Sequence, residues 1–253
     1  MNRFILIYPY SHYCKRLINL TGIPVFIAIL ILFSGCKKNN NTTATFDTSY
    51  YPLNIKSWIV YDITTVKFEK DINGQMIYND SSHYLLKEII DTSYIDFSGR
   101  LNFRIERYRK DSLNSSWQIK DVWTTCLTDY TALKNEENIT YVKIKFPIEK
   151  NKTWNGNLYN TLNAQNYKIT AMDAPETINN NFFQNVLSIT QANTLNAIQK
   201  FYAYEKYAKN IGLIKKHIFN IYDVTYPSTT EPIENRMKRV EKYTQEIISW
   251  GQE

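Results

Sequence analysis

From Tyr50 to the C-terminus the chain is a succession of short β-branched and aromatic runs cut by polar turns, and this pattern limits its fold most. Leu101-Asn102-Phe103-Arg104-Ile105-Glu106-Arg107 alternates strictly, which predicts a strand with Leu101, Phe103 and Ile105 on the core side and Asn102, Arg104 and Glu106 outward. Trp58–Phe68, Tyr84–Ile90, Trp117–Leu127 and Ile139–Phe146 carry the same strand chemistry. So do Tyr167–Met172, Val186–Gln191, Phe201–Ala208, Ile211–Tyr222 and Val240–Ile248. Asn73-Gly74 and Ser98-Gly99 read as hairpin turns, and Asp111–Ser116 as a polar loop. Helix signals are poor: 174–185 reads as a short turn or helix, and 194–200 is ambiguous.

The expected fold is therefore all-β, with about ten mostly antiparallel strands, because short turns leave no room for helical crossovers. Such a set forms a strongly curved sheet, half-barrel or barrel; the alternative is a two-sheet β-sandwich. Apolar residues occur on both faces of some strands, as where Tyr202 and Tyr204 oppose Phe201 and Ala203. That favours a bent sheet with some cover on its outer face.

The first 49 residues have a different character. Lys15 and Arg16 precede an apolar stretch, Leu17–Gly35, broken only by Asn19, Thr21 and Pro24. It ends in Ser34-Gly35-Cys36, small residues before a cysteine, and Lys37-Lys38 with an Asn/Thr tract follow. This resembles a bacterial lipoprotein signal, in which the cysteine is acylated and becomes the first residue. Phe33 departs from the leucine usual there, and the leader Met1–Tyr13 is long. The expected division is a signal peptide over 1–35, lipidated Cys36 with a flexible tether over 36–49, and one antiparallel β domain over 50–253. The competing reading is an uncleaved helix, since Leu17–Gly35 is barely long enough for a hydrocarbon core of about 30 Å.

Composition fits that division. The chain has 30 basic and 24 acidic residues. Residues 1–35 contain Arg3, Lys15, Arg16 and no acid, so 27 basic residues remain against 24, a net of +3. Scattered charge of that size does not predict nucleic-acid binding. Cys14 leaves with the signal, Cys36 is lipidated, and Cys126 is left with no internal disulfide partner. Only 7 glycines argue against phosphate-cradling loops.

One internal echo recurs. Tyr51-Pro52-Leu53 runs on to Ser57-Trp58, and Phe146-Pro147-Ile148 to Thr153-Trp154. These residues, with Arg104-Ile105-Glu106-Arg107-Tyr108, Asp121-Val122-Trp123 and Tyr204 through Ile211-Gly212-Leu213-Ile214, resemble uncharacterised lipoproteins of Bacteroidota. The resemblance implies a lipid-anchored all-β domain and carries over no catalytic residue. Lys56 and Asn210 stand where that family has glycine. Lys37-Lys38-Asn39 lacks the acidic cluster that resembles a surface-export tag, so the expected location is the periplasm-facing side of the outer membrane, with the cell surface as the alternative. Asp111-Ser112-Leu113 resembles an O-glycosylation sequon, making Ser112 a candidate modification site.

No chemistry-bearing constellation emerges. His83 and His217 lack neighbouring histidines, Lys215-Lys216-His217 reads as a solvated edge, and Glu136-Glu137 as outward or turn residues. No catalytic, metal or cofactor residues are therefore expected. The function expected is a non-catalytic binding or carrier module for an apolar ligand. The alternative is an envelope assembly partner using an aromatic patch around Tyr202 and Tyr204.

Overall fold

The computed structural model describes residues 46–112 and 114–253. The expected leader, Cys36 and most of the tether lie outside the described residues, as does Leu113 beside Ser112. The described residues form twelve antiparallel strands: β1 Ser57–Lys70, β2 Met76–Ile95, β3 Leu101–Lys110, β4 Gln118–Leu127, β5 Thr131–Glu136, β6 Ile139–Lys145, β7 Thr153–Asn155, β8 Asn166–Ile178, β9 Asn181–Leu195, β10 Lys200–Ala208, β11 Gly212–Val224 and β12 Met237–Gln252. They make one sheet in the order β6-β5-β4-β3-β2-β1-β12-β11-β10-β9-β8-β7. Each strand pairs with its sequence neighbour except β6 and β7, which are the two edges of the sheet, and β1 also pairs with β12 from Ser57↔Gln252 to Glu69↔Arg239.

The sheet is a nearly closed barrel whose seam lies between β6 and β7. Val142 N–H donates to the Gly156 carbonyl at 2.9 Å, and Trp154 Nε1 donates to the Val142 carbonyl at 2.8 Å. These bonds satisfy backbone groups that an open sheet would leave exposed. A barrel rather than a sandwich follows, with two strands more than the sequence indicated.

The added strands, β5 and β7, are short, and 174–185 is the β8–β9 hairpin rather than a helix. Asn179 and Asn180, at φ 47° and 65°, supply its turn, as Glu137 and Asn138, at 50° and 64°, do between β5 and β6. Paired left-handed residues match the twist of a tight hairpin. Pro175 lies in β8 beyond the reach of β7 and at a register break against β9, between Ala174↔Val186 and Glu176↔Phe183, a place in a sheet that tolerates a missing N–H.

The internal echo has a structural counterpart. Lys56 and Asn151, 95 positions apart, both have left-handed φ (65° and 68°). Lys56 N–H donates to Ile90 in β2, and Asn151 N–H to Ile169 in β8. The same turn thus launches β1 and β7, the first strands of two six-stranded halves. Tyr51 and Phe146, at corresponding positions, are both buried in the same apolar cluster.

The chain enters the barrel at the end formed by the turns β2–β3, β4–β5, β6–β7, β8–β9 and β10–β11. Asp47 pairs with Lys209, and the Ser49 carbonyl accepts from Asn210 N–H, so the last tether residues rest on the β10–β11 turn. Tyr51 then turns into the lumen, where its hydroxyl meets Thr125 Oγ1 at 2.9 Å and its ring lies 6.0 Å from that of Tyr207. The segment plugs this end. At the opposite end Arg236 is buried and donates to the carbonyls of Ala197, Tyr226, Ser228 and Glu231, tying two loops together. No described helix is long and apolar enough to cross a membrane.

Candidate functional site: the barrel lumen and its open mouth

Strands that are not neighbours in the sheet meet only across the lumen, and here they meet through charges. Lys143 on β6 donates to Glu205 on β10 at 2.5 Å and to Glu136 on β5 at 3.1 Å. Lys216 on β11 donates to Glu136 at 3.2 Å. A second group lies beside it: Lys134 on β5 and Arg107 on β3 both donate to Glu88 on β2, at 3.0 and 2.8 Å. Arg107 also reaches both Asp121 oxygens at 2.9 Å. Four cations therefore face four carboxylates in the middle of the barrel.

This lattice corrects two sequence expectations. Glu136 is not outward or in a turn, and Lys216 is not a solvated edge; both project into the lumen. Burial opposes the charge on Glu136 and Glu205, yet Lys143 and Lys216 hold both carboxyls below the usual carboxylate range. Burial likewise opposes the Lys143 ammonium, and Glu136 and Glu205 raise its pKa well above that of an ordinary lysine. Tyr207 donates to Glu205 at 2.5 Å, and burial followed by that carboxylate keeps its phenol protonated. Buried charges of this kind persist only when paired and hydrogen-bonded.

Above the lattice the lumen opens. Tyr84, Trp123, Ile218 and Tyr243 wall a cavity of about 230 Å³, with Arg107 and Lys216 at its floor and Lys120, Glu137 and Glu241 at its rim. The Arg107 guanidinium stacks 3.3 Å from the Trp123 ring centroid. Trp123 Nε1 donates to Glu137 at 3.3 Å. Two buried polar atoms of the lumen strands, Gln245 Nε2 and Asn220 Oδ1, have no protein partner. On the plugged side a cavity of about 80 Å³ lies between Tyr51, Leu53, Ile59, Ile105 and Leu213. The mouth can hold a small molecule with a flat apolar face and a polar group; the plugged side has no comparable space.

The lattice has a sequence signal that apolar alternation misses. Lys134 and Glu136, like Glu205 within its strand, occupy the core-side register of β segments. A charged residue in that register marks a polar lumen.

Tyr202 and Tyr204 point out of the barrel, because Ala203 and Glu205, which alternate with them, point in. Their rings lie 5.4 Å apart, and Tyr204 lies 5.3 Å from the His217 ring. With Thr170, Ser188, Thr190 and Lys206 they line an outer groove of about 420 Å³. His217 is half-buried, and burial followed by Lys242 and Lys215 lowers its pKa. His83 is exposed and pairs with Asp62 on the outer surface. Among the described residues no three His, Cys, Asp or Glu side chains cluster as metal ligands. Ser112 is exposed in the β3–β4 turn. Cys126 is buried, and burial raises its thiol pKa.

No protein-family model and no curated protein matches this chain.

Proposed function

We propose that this chain is a lipid-anchored, non-catalytic binding module of the bacterial cell envelope. In this reading acyl chains on Cys36 hold it to the periplasm-facing side of the outer membrane, with the cell surface as the alternative. The reading includes membership of the Bacteroidota lipoproteins whose residues it resembles. The ligand is small and largely apolar, seated in the barrel mouth with an aromatic or flat face against Trp123 and Tyr243.

One observation carries the binding reading: the lumen is packed with paired charges at its centre but open and aromatic-walled at one end. At about 230 Å³ the mouth falls just under the roughly 300–1,000 Å³ of drug-sized sites, which favours a small ligand over a diacyl lipid. The carboxylates at its floor are each compensated by a cation, which suits holding a ligand more than moving protons.

Native mass spectrometry of the protein extracted from envelopes tests this. The expected spectrum contains a bound small molecule that is lost from Trp123→Ala. A ligand-free spectrum, with a melting temperature unmoved by envelope extracts, would count against it.

A second reading, an assembly partner in an envelope complex, draws on the outward groove of Tyr202, Tyr204 and His217. A photo-crosslinker at Tyr202 is expected to capture one discrete envelope protein in cells. Self-contacts alone would sink this reading.

A further inference from the structure

The end of the barrel at which the chain enters carries an unusual turn. Between β2 and β3, Phe97 is fully exposed, flanked by Ile95 and Leu101, which are 68% and 48% exposed and directly paired. The turn that presents them is rigid. The Asp96 carboxylate accepts from Ser98 N–H, Ser98 Oγ, Arg100 N–H, Arg100 Nε and Asn102 Nδ2. An exposed phenylalanine gains nothing in water, and the ordered turn prevents it from folding back onto the barrel.

The neighbouring turn repeats the device. Thr128 Oγ1 accepts from the backbone N–H of both Tyr130 and Thr131, and Tyr130 stands 60% exposed. Phe46, the first described residue, packs edge-on against it at 5.9 Å between ring centroids. The two turns are two strand spacings apart, roughly 10 Å. The β2–β3 turn also projects: Lys56 N–H bonds to Ile90 at the start of β1, and β2 continues five residues further to Ile95.

We infer that this end is a membrane-docking surface, with Phe97, Ile95, Leu101 and Tyr130 inserted into the bilayer interface. The inference rests on the lipidation proposed above. The position of the chain identifies the occupant. Phe46 lies ten residues after Cys36, a span of at most about 35 Å, and it enters beside Tyr130. A lipid on Cys36 therefore holds these apolar tips close to the headgroups, where weak insertion of aromatic and aliphatic side chains becomes effective. The same leash is long enough to lift the barrel clear of the surface. The apolar tips argue that the barrel instead sits down on it.

Exposed apolar residues also occur at the other end, on the β1–β2 hairpin, where Ile72 is 81% exposed. Strand β1 separates that tip from the entry point by roughly 45 Å along its 14 residues, so both ends cannot rest on one bilayer.

The test uses the full processed lipoprotein reconstituted in vesicles of phosphatidylethanolamine and phosphatidylglycerol. An environment-sensitive apolar fluorophore is attached to Phe97→Cys or, in a second protein, to Ile72→Cys. Phe97 makes none of the turn's hydrogen bonds, so the label takes the place of the ring it removes. The label at position 97 is expected to lose roughly half its emission to a lipid-borne quencher, and the label at 72 to lose little. Equal behaviour at the two positions would overturn docking. Intact mass of the same samples reads acylation separately: acylated protein with an unquenched position 97 refutes docking alone. Unacylated protein whose position 97 is still quenched refutes only the anchor.

Discussion

Lys143 and Glu205 meet at 2.5 Å across the lumen from strands that share no ladder, and both side chains are buried. Each is a liability without the other. Lys143→Met is expected to destabilise the barrel by about 3 kcal/mol, because Glu205 keeps the Tyr207 hydroxyl but, as a cation, only the more distant Lys216. Lys143→Met/Glu205→Leu is expected to recover at least half of that loss. Urea denaturation of the four proteins in the cycle measures it, and a double variant no better than the single one would refute the pairing.

Acid should unfold the protein through the same lattice. Glu88, Glu136 and Glu205 all have pKa values below those of ordinary carboxyls. Their contribution is complete above the unfolded-state pKa of about 4.3 and is lost as pH falls through the lower folded values. The urea midpoint is expected to be flat from about pH 5 to 8 and to fall below about pH 4. Loss of stability already at pH 6 would contradict this.

At the alkaline end the sign reverses. Tyr51, Tyr61 and Tyr207 are raised first by burial, and Lys143 is raised by its carboxylate partners against its burial. Groups of this kind stabilise fully below their unfolded pKa values, near 10, and that contribution is lost above them. Phenolate absorbance is therefore expected to rise in two stages: exposed tyrosines first, then a cooperative step that coincides with loss of the β circular-dichroism signal.

The seam depends on Gly156. A Cβ there would lie 2.3 Å from the Tyr167 ring, whose side chain is buried. Gly156→Ala is expected to cost about 2–4 kcal/mol and to speed hydrogen exchange at Val142, whose N–H is bonded to the Gly156 carbonyl. Unchanged exchange at Val142 would show that the seam does not depend on this close approach.

Lys56 holds a left-handed φ of 65° in a position suited to glycine. Its ammonium pairs with Asp91 at 2.9 Å on an exposed surface, which contributes little. Lys56→Gly is expected to raise stability by about 0.5 kcal/mol, the relief of left-handed strain slightly exceeding the added freedom of the unfolded chain. Thermal unfolding measures the difference, and a clear loss would contradict it.

Strands with an apolar inner face were legible in the sequence. β3 alternates as expected from Phe103 through Arg107, and Asn73-Gly74 and Ser98-Gly99 turn the chain where expected. Leu101 is the exception: it begins β3 in the expected register but stands beyond the core, exposed at the barrel end. β5 was hidden because its lumen face reads Ala132, Lys134, Glu136, and an apolar test cannot see a strand whose inner face is charged. The β8–β9 hairpin was hidden because its turn is Asn179-Asn180 rather than a glycine pair. Tyr202 and Tyr204 showed their alternation against Phe201 and Ala203, but alternation does not say which side is inside.

The sequence by itself determined the all-β class, the antiparallel meander and most of the turns, because period-two alternation and left-handed turn residues are local properties. Tertiary structure decided closure into a barrel, the seam at Gly156 and the choice of inner face. It also decided the union of Lys143, Glu136, Glu205 and Lys216. Those residues lie as far as 80 positions apart in sequence. Their meeting follows from the curvature of twelve strands, which no single segment encodes.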